Sequence, residues 1–332
     1  MTENNTISVI KKITTSLLED ALNQEEAVKS LNEIHTHFQR ITEITGYDSK
    51  IEHLMTIPAA KGTALGLNYA AQCLIDYKRT VKFLKGIMAA IKEKQGKHPG
   101  ELIHIFYAGC GPYATFLSLI APHFTPKEIQ FSLLEINRKS VDSAKRLIDS
   151  LELNDYVQEF YVADAITFEI PNPDSIHIVI SETLDALLYR ECYVPILFNL
   201  LPQVSKDITL IPENVVIDLS LLARSKEDHT FKEQNVETVL NVRETVASYN
   251  GQQTTPSHLP DKKVDMTSLD TDAYESILLD TKVHVYNDIW LDRNESSLTL
   301  PLEVVLQKPF QNEAIIFTYQ LEPDIELKCS FQ

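Results

Sequence analysis

The stretch IHIVISETLDALLYREC, residues 176–192, begins as a buried strand and ends in two carboxylates. Its apolar run stops at Ser181-Glu182, and Glu191 follows nine residues after Glu182. On one continuous helix, nine steps of about 100° would turn the two glutamates to opposite sides. The segment must therefore bend if both carboxylates hold one ligand. The alternative is that Glu182 caps a helix N-terminus, where the helix dipole favours an acid, and that Glu191 is solvated on the helix surface.

Four further apolar runs accompany this strand and predict a parallel sheet. Helical patterns alternate with the runs, which is typical of α/β proteins with helices on the faces of the sheet. The runs are LIHIFYA, IQFSLLEI, VQEFYVAD and ITLIPENVVI, at 102–108, 129–136, 157–164 and 208–217. The helical patterns are ATFLSLIAPHF, SVDSAKRLIDSLEL and LDALLYRECYVPILFNLLPQ. We therefore predict an α/β fold with a Rossmann-like sheet.

The pattern changes on both sides of this central part. Residues 6–55 and 67–95 repeat apolar positions at helical spacing, with a break at 56–66. After about residue 218, alternating and β-branched runs replace the helices, and a polar stretch at 224–276 indicates an insertion or a mobile loop. We predict an N-terminal helical region, a Rossmann-like domain and a C-terminal β-rich, barrel-like domain, at 1–97, 98–217 and 218–332.

The composition argues against several classes of function. With 47 acidic and 30 basic residues, the chain has a formal charge of −17, which opposes nonspecific binding to nucleic acid because phosphates require a basic face. No apolar run approaches the ~18 residues of a membrane span, and no secretory signal is visible, so we expect a cytoplasmic protein. The four cysteines lack CxxC spacing, so we expect neither a disulfide framework nor a metal site.

Residues at the predicted strand ends favour a nucleotide-like cofactor. The first strand ends in a Gly109-x-Gly111 turn, the second in Glu135, and the third in Asp164 followed by Ala165. Glycines let the backbone approach a ligand, an acid at the second strand end suits ribose hydroxyls, and the third position suits an adenine amino group. A dinucleotide and S-adenosylmethionine both fit this order. The series of acids, without a basic pocket, favours S-adenosylmethionine.

Two segments resemble the protein arginine methyltransferases. SETLDALLYRE resembles the family's double-glutamate loop, in which a Ser-Glu after the fourth strand is followed nine residues later by a second Glu. LIDYKRTVKF resembles the family's Asp-x-x-Arg-Thr helix, whose arginine binds the carboxylate of the cofactor; the matching residue is Arg79. The resemblance covers about residues 68–222 and implies that Glu182 and Glu191 are catalytic.

The resemblance implies further roles. Gly109, Gly111, Glu135 and Asp164 would belong to the cofactor site, and we add Ala165 as the neighbour of Asp164. The β-rich remainder would form the family's C-terminal barrel. Family members are commonly dimers, so we expect a homodimer, with a contact supplied by the N-terminal residues up to 55 or by the polar stretch.

The chemistry of a guanidinium agrees with a pair of carboxylates. Its reference pKa is about 12.5 to 13.8, so the group stays charged and its nitrogen lone pairs are delocalised. Two carboxylates can bind its planar fork through bidentate, charge-assisted hydrogen bonds and fix one nitrogen in line with a methyl donor. One of them can also take the departing proton.

The sequence departs from the family pattern at several points. Tyr107 stands where an acid is usual, Tyr113 where a third glycine is usual, and Thr183-Leu184 replaces Trp-Met. No Thr-His-Trp occurs in the C-terminal third. We therefore expect free L-arginine or a small guanidino compound as substrate, as in bacterial relatives that methylate free arginine during natural-product assembly. A peptide or protein arginine is the alternative. The opposing hypothesis is a non-catalytic subunit that binds a partner through its N-terminal helices, with both tyrosines obstructing the cofactor site.

Overall fold

The computed structural model describes residues 3–224, 231–249 and 255–332. Its α-helices are α1 (Glu3–Leu18), α2 (Gln24–Thr42), α3 (Ile51–Leu54), α4 (Leu67–Gln72), α5 (Tyr77–Lys97), α6 (Thr115–Ile120), α7 (Arg138–Ser150), α8 (Tyr193–Leu200) and α9 (Val242–Ser248). Its strands are β1 (Ile57–Pro58), β2 (Thr63–Ala64), β3 (Ile103–Ala108), β4 (Ile129–Glu135), β5 (Val157–Val162), β6 (Ile178–Ser181), β7 (Thr209–Ile211), β8 (Asn214–Arg224), β9 (Phe231–Asn241), β10 (Lys262–Asp265), β11 (Ser276–Tyr286), β12 (Ile289–Leu291), β13 (Leu302–Val305), β14 (Ala314–Gln320) and β15 (Glu326–Phe331).

The central sheet is parallel and has the strand order β5-β4-β3-β6-β7. All six residues of β3 are buried, as expected for the middle strand of a sheet that is covered on both faces. The predicted run 208–217 does not form one strand. It is interrupted at Pro212, which cannot donate to a strand ladder, so that β7 ends the parallel sheet and β8 starts the next one.

The C-terminal part is antiparallel. One sheet has the order β12-β11-β8-β9, with β13 also paired to β11, and a second has the order β10-β14-β15. The prediction that 224–276 is a mobile loop is wrong where β9, α9 and β10 lie within that stretch, and its interpretation as an insertion stays a prediction. The first residues of β9 are exposed, which explains their polar sequence. Residues 225–230 and 250–254 lie outside the described residues.

Helix α5 joins the two parts of the molecule, since it packs against β3 and β7 on one side and against β11 and β12 on the other. The helical pattern at 67–95 predicts one long helix, but the structure breaks it at Asp76, whose ψ of 87° is not helical. The Asp76 carboxylate accepts hydrogen bonds from the Ser296 hydroxyl (2.7 Å) and the Ser297 N–H (2.9 Å). The start of α5, and with it Arg79, is therefore fixed to the C-terminal part.

Helices α1 and α2 pack against the helices α5, α6 and α7. Helix α2 starts with a capping box, in which Asn23 accepts the Glu26 N–H and Glu26 accepts the Asn23 N–H. None of the helices in the described ranges combines the length and apolar content needed to cross a bilayer. The division into 1–97, 98–217 and 218–332 stays a prediction.

Candidate active site

The carboxyl ends of the parallel strands open into a cavity of about 970 Å³, including its mouth. The structure brings every predicted site residue to the wall of this one cavity: Arg79, Gly109, Gly111, Glu135, Asp164, Ala165, Glu182 and Glu191. Among the described residues that line it, four are acidic and Arg79 alone is basic. The cavity is therefore suited to a ligand that carries positive charge.

The glycine turn after β3 requires glycine for two reasons. Gly109 has a φ of 75° and Gly111 a φ of 67°, in the left-handed region that other residues rarely adopt. A Cβ atom on Gly109 would also lie 2.4 Å from the Thr183 Cγ2 atom. The glycine turn therefore lies directly against Thr183, the residue that follows Glu182.

We expect the Gly109→Ala substitution to destabilise the protein by about 3 kcal/mol, because the left-handed backbone and the overlap with Thr183 each cost about 1–3 kcal/mol. Gly96→Ala is the matched control, since Gly96 lies in α5 and nothing approaches its Cβ position within 4 Å. The control should leave stability unchanged or raise it. Thermal unfolding of both variants checks the prediction, and a wild-type melting temperature for Gly109→Ala would contradict it.

Glu135 and Asp164 are held by backbone N–H groups. Glu135 accepts hydrogen bonds from Gly111 (2.9 Å) and Asn137 (2.8 Å), one at each oxygen, and burial raises its pKa. Asp164 accepts one hydrogen bond from the Ile166 N–H (2.9 Å) and another from the Ala60 N–H (2.6 Å). Each carboxylate oxygen keeps a further lone pair for a ligand.

Arg79 and Glu182 form a buried ion pair, with the arginine Nε in contact with the glutamate Oε1. Their side chains are only 7% and 8% exposed, respectively. Burial raises the pKa of Glu182, and the charge of Arg79 opposes this shift. Arg79 also lines the cavity, so its terminal nitrogens could bind an anionic ligand while Nε orients Glu182.

The segment after Glu182 bends, as the nine-residue spacing requires if both glutamates face one ligand. The predicted helix from 184 onward is wrong, because α8 begins only at Tyr193. The backbone of Leu187, Leu188 and Arg190 has positive φ values of 60°, 54° and 81°. The alternative in which Glu182 caps a helix is therefore also wrong, and Glu191 lines the cavity instead of projecting from a helix surface.

Residues of the C-terminal part hold this bent loop in place. Thr281 Oγ1 accepts the Leu187 N–H (2.7 Å), and the Tyr319 hydroxyl donates to the Leu188 carbonyl (2.7 Å). The Arg190 N–H donates to the Ile325 carbonyl (3.1 Å). Non-glycine residues keep strained backbone angles only where the surroundings determine them, and these contacts supply that constraint.

Two carboxyl groups of the loop have strongly raised pKa values. Burial, assisted by the charge of Asp185, raises the pKa of Glu191 to about 8, although Arg79 opposes the shift. Burial raises the pKa of Asp185 to about 7, and nearby backbone N–H groups oppose it. The ligand-free site therefore keeps protons on acids that would ionise in water at neutral pH.

These shifts predict how stability depends on pH. The folded pKa of Glu191 lies above its ordinary value of 4.5, so its contribution to stability is lost as pH rises through the range from 4.5 to about 8. We expect Glu191→Gln to melt on the order of 5 °C above the wild type at pH 8.5, with a smaller difference at pH 5. Thermal unfolding at the two pH values tests this, with the exposed Glu169→Gln as control. A difference independent of pH would contradict the shift.

Of the two tyrosines proposed to obstruct the cofactor site, the structure places only Tyr107 at the cavity wall. The Tyr113 side chain packs against Phe38, and its hydroxyl donates to the Ile44 carbonyl (2.7 Å). It lies outside the cavity lining, so Tyr113 offers no obstruction. The non-catalytic hypothesis loses one of its two observations.

Sequence reasoning missed the hairpin β1–β2, which was predicted only as a break between helices. Ala59, Thr63 and Ala64 of this hairpin line the cavity. The Thr63 N–H donates to the Arg190 carbonyl (3.1 Å), and the Cys192 thiol donates to the Lys61 carbonyl (3.1 Å). The hairpin therefore forms part of the cavity wall next to the loop of Glu191. Its glycine at 62 was the available signal of a turn.

One group of potential metal ligands lies at the opposite edge of the sheet, where β3 and β6 begin. The ligand atoms of His98, Glu101 and His177 lie within 4.8 Å of one another. However, His177 Nδ1 accepts the His104 N–H (3.1 Å), so a neutral His177 ring carries its proton on Nε2. Metal binding at this nitrogen would have to remove that proton, which opposes a metal site here.

Comparisons with known proteins identify the fold. No protein-family model matches the chain, and no curated protein matches it. The crystal structure of the arginine methyltransferase PRMT6 matches with a TM-score of 0.53 over 80% of this chain and 98% of that chain, at 11% sequence identity. The Trypanosoma brucei PRMT1 enzyme-prozyme heterotetrameric complex with AdoHcy matches with a TM-score of 0.45 over 78% of this chain and 96% of that chain, at 10% identity. The predicted fold class is confirmed: the chain has an arginine methyltransferase-like fold, with a parallel α/β sheet followed by an antiparallel β-rich part.

Proposed function

We propose that the protein is an S-adenosylmethionine-dependent N-methyltransferase that acts on a guanidino nitrogen. The observation that carries this proposal is the meeting of Glu182 and Glu191 at one cavity, on a bent loop directly beside the glycine turn. Two buried carboxylates that face the same space match the planar, doubly hydrogen-bonding edge of a guanidinium. A neutral amine or a thiol offers no cationic edge for Glu191, since Arg79 already pairs with Glu182.

The residues around the glycine turn suit S-adenosylmethionine. Glu135 has lone pairs for two ribose hydroxyls, Asp164 and Ala165 would bind the adenine, and the terminal nitrogens of Arg79 would bind the carboxylate of the methionine part. Gly109 and Gly111 keep side chains out of the space between these groups. When bound, the cofactor supplies an electrophilic methyl group on a sulfonium.

The loop residues would bind and orient the acceptor. Glu182, itself oriented by Arg79, and Glu191 would each accept N–H hydrogen bonds from the guanidinium and fix one nitrogen in line with the methyl group. Their charge also compensates the positive charge that the acceptor keeps during methyl transfer. Glu191, with a pKa near 8 in the ligand-free site, suits the role of the group that takes the proton lost from the methylated nitrogen.

We propose free L-arginine or a small guanidino compound as the acceptor, with a peptide or protein arginine as the alternative. The position of the hairpin β1–β2 supports a small acceptor, because the hairpin forms part of the cavity wall and is fixed beside Glu191 by hydrogen bonds to Arg190 and Cys192. The absence of Thr-His-Trp from the C-terminal third supports the same choice.

The test incubates the purified protein with methyl-tritiated S-adenosylmethionine and three acceptors: L-arginine, agmatine and a glycine-rich peptide with one arginine. Labelling of L-arginine or agmatine, but not of the peptide, is the expected result. Labelling of the peptide alone would overturn the small-acceptor proposal. Calorimetry with S-adenosylhomocysteine accompanies the assay, and failure to bind would favour the non-catalytic hypothesis.

We also propose that the protein is a cytoplasmic homodimer. Four large apolar side chains from the end of α2 through α4 support a contact surface in the N-terminal region, because they are more than half exposed: Tyr47 (65%), Ile51 (74%), Met55 (59%) and Tyr69 (51%). Sedimentation equilibrium distinguishes a dimer from a monomer, and a monomer at all concentrations would contradict this proposal.

A further inference from the structure

Asp185 is a third acid of the bent loop, three residues after Glu182. It is partly buried, but it does not belong to the residues that line the cavity. Its Oδ1 atom is buried and has no hydrogen-bond partner within the described part of the chain. Backbone N–H groups of Tyr189 and Glu191 lie near the carboxyl group and interact with it electrostatically. Asp185 therefore interacts with Glu191 but does not line the cavity that the substrate would enter.

The loop gathers more negative charge than its surroundings can balance. Glu182, Asp185 and Glu191 interact with one another or with Arg79, and among the residues that the structure describes Arg79 is the one buried cation in contact with the group. If all three acids were ionised, the buried site would carry a net charge of −2. Like charges in a low-dielectric site do not all ionise, so a proton must remain on the group while it is empty.

Within the described ranges, the surroundings of Glu191 and Asp185 supply no second buried cation. The titratable groups that face Glu191 or Asp185 from α5, from the preceding turn, from the loop itself and from β14 are Arg79, Cys73, Glu182, Arg190, Cys192 and Tyr319. Of these, Arg190 is exposed and stacks on the ring of Tyr189. The positive charge that balances these acids must therefore come from a retained proton or from a bound ligand.

We propose that Asp185 is a positioning residue that keeps a proton on Glu191 in the empty site, and that an incoming guanidinium displaces this proton. This inference rests on the proposed function, because it assigns the ligand's charge to a guanidinium. In the occupied site, Glu182 and Glu191 are both ionised and share the guanidinium. Asp185 thus favours the protonated form of Glu191 before binding. The guanidinium favours the ionised form, which accepts its hydrogen bonds, after binding.

The first test counts protons. Agmatine and L-arginine are titrated by calorimetry into the protein with S-adenosylhomocysteine at pH 7, in phosphate and in Tris, whose ionisation enthalpies differ. We expect the wild type to release close to one proton per ligand and Asp185→Asn to release less than half as many. Equal proton release by the two proteins would overturn the proposal.

The second test follows the rate of methylation as a function of pH. Removal of the Asp185 charge lowers the pKa of Glu191, so the acid limb of the profile should move to lower pH by about one unit in Asp185→Asn. Tyr319→Phe is the structural control, because it removes the hydroxyl bond to the Leu188 carbonyl but no charge at neutral pH. The Tyr319→Phe substitution should lower the rate of methylation without shifting the acid limb of the pH profile. The exposed Asp174→Asn should match the wild type.

The outcomes separate this inference from the proposed function. If the wild type neither binds nor methylates any guanidino probe, the proposed function fails. If the wild type methylates a probe but Asp185→Asn keeps both its proton count and its acid limb, the function stands and the role of Asp185 is wrong. Circular dichroism confirms folding of each variant, and Asp185→Ser repeats both measurements if the asparagine variant does not fold.

Discussion

Glu182→Gln should lose at least about 100-fold in kcat/KM for the guanidino acceptor, because removing one charge from a buried, hydrogen-bonded pair costs about 2–5 kcal/mol. The glutamine keeps the shape of the side chain and can still accept a hydrogen bond from Arg79. We therefore expect S-adenosylhomocysteine to bind this variant within about 10-fold of the wild-type affinity. Steady-state kinetics and calorimetry measure the two effects separately.

Glu169→Gln is the matched control for this prediction, since Glu169 is exposed in the loop after β5 and lies outside the cavity lining. It should have wild-type kinetics. A Glu182→Gln variant with wild-type turnover would show that the buried ion pair with Arg79 serves the fold alone.

The second large effect is expected at Arg79. Arg79→Met keeps the volume of the stem but removes the guanidinium that would bind the cofactor carboxylate, so the affinity for S-adenosylhomocysteine should fall by about 100-fold or more. It also leaves Glu182 buried without its cation, which lowers stability by about 3 kcal/mol. Calorimetry measures the first effect and thermal unfolding the second.

Arg79→Lys and Arg146→Met complete this experiment. Lysine keeps the charge but not the planar fork, so an intermediate affinity is expected. Arg146 is exposed, pairs with Glu43 at 3.5 Å and lies outside the cavity lining, so its replacement should leave cofactor binding unchanged. Full affinity in Arg79→Met would place the cofactor carboxylate elsewhere.

The sequence predicted the central sheet because its evidence is local. Buried parallel strands are short apolar runs, and the residues at their carboxyl ends meet at one edge whatever the loops between them do. Thus Gly109, Glu135, Asp164 and Glu182 meet at one cavity. The glycine turn was visible for the same reason, since positive φ values favour one residue type.

The bent loop shows where local evidence ends. Leu187 and Leu188 have left-handed backbone angles, but leucine is a good helix former and the apolar spacing around them is helical. The bend depends on Thr281 and Tyr319, which lie about ninety and more than one hundred residues further along the chain. No pattern within the loop reports such contacts. The break of the helix at Asp76 likewise depends on its bonds to the segment at 296–297.

The polar strand β9 was missed for a different reason. Its first five residues are exposed, and the pairing with β8 shifts register twice, so the strand has no regular alternation of apolar and polar residues. Periodicity identifies a strand only where one face is buried. The same limit applies to Asp185, whose burial comes from tertiary packing of the bent loop.

The central claim is that Glu182 and Glu191 hold a guanidinium for methylation, and tandem mass spectrometry tests it most directly. The purified protein is incubated with S-adenosylmethionine and L-arginine or agmatine, and the product is fragmented to locate the added methyl group. The account predicts one methyl on a guanidino nitrogen, which is lost in Glu182→Gln and kept in Glu169→Gln. A methyl group on the α-amino nitrogen of arginine or the primary amine of agmatine, or an equal yield from Glu182→Gln, would contradict it.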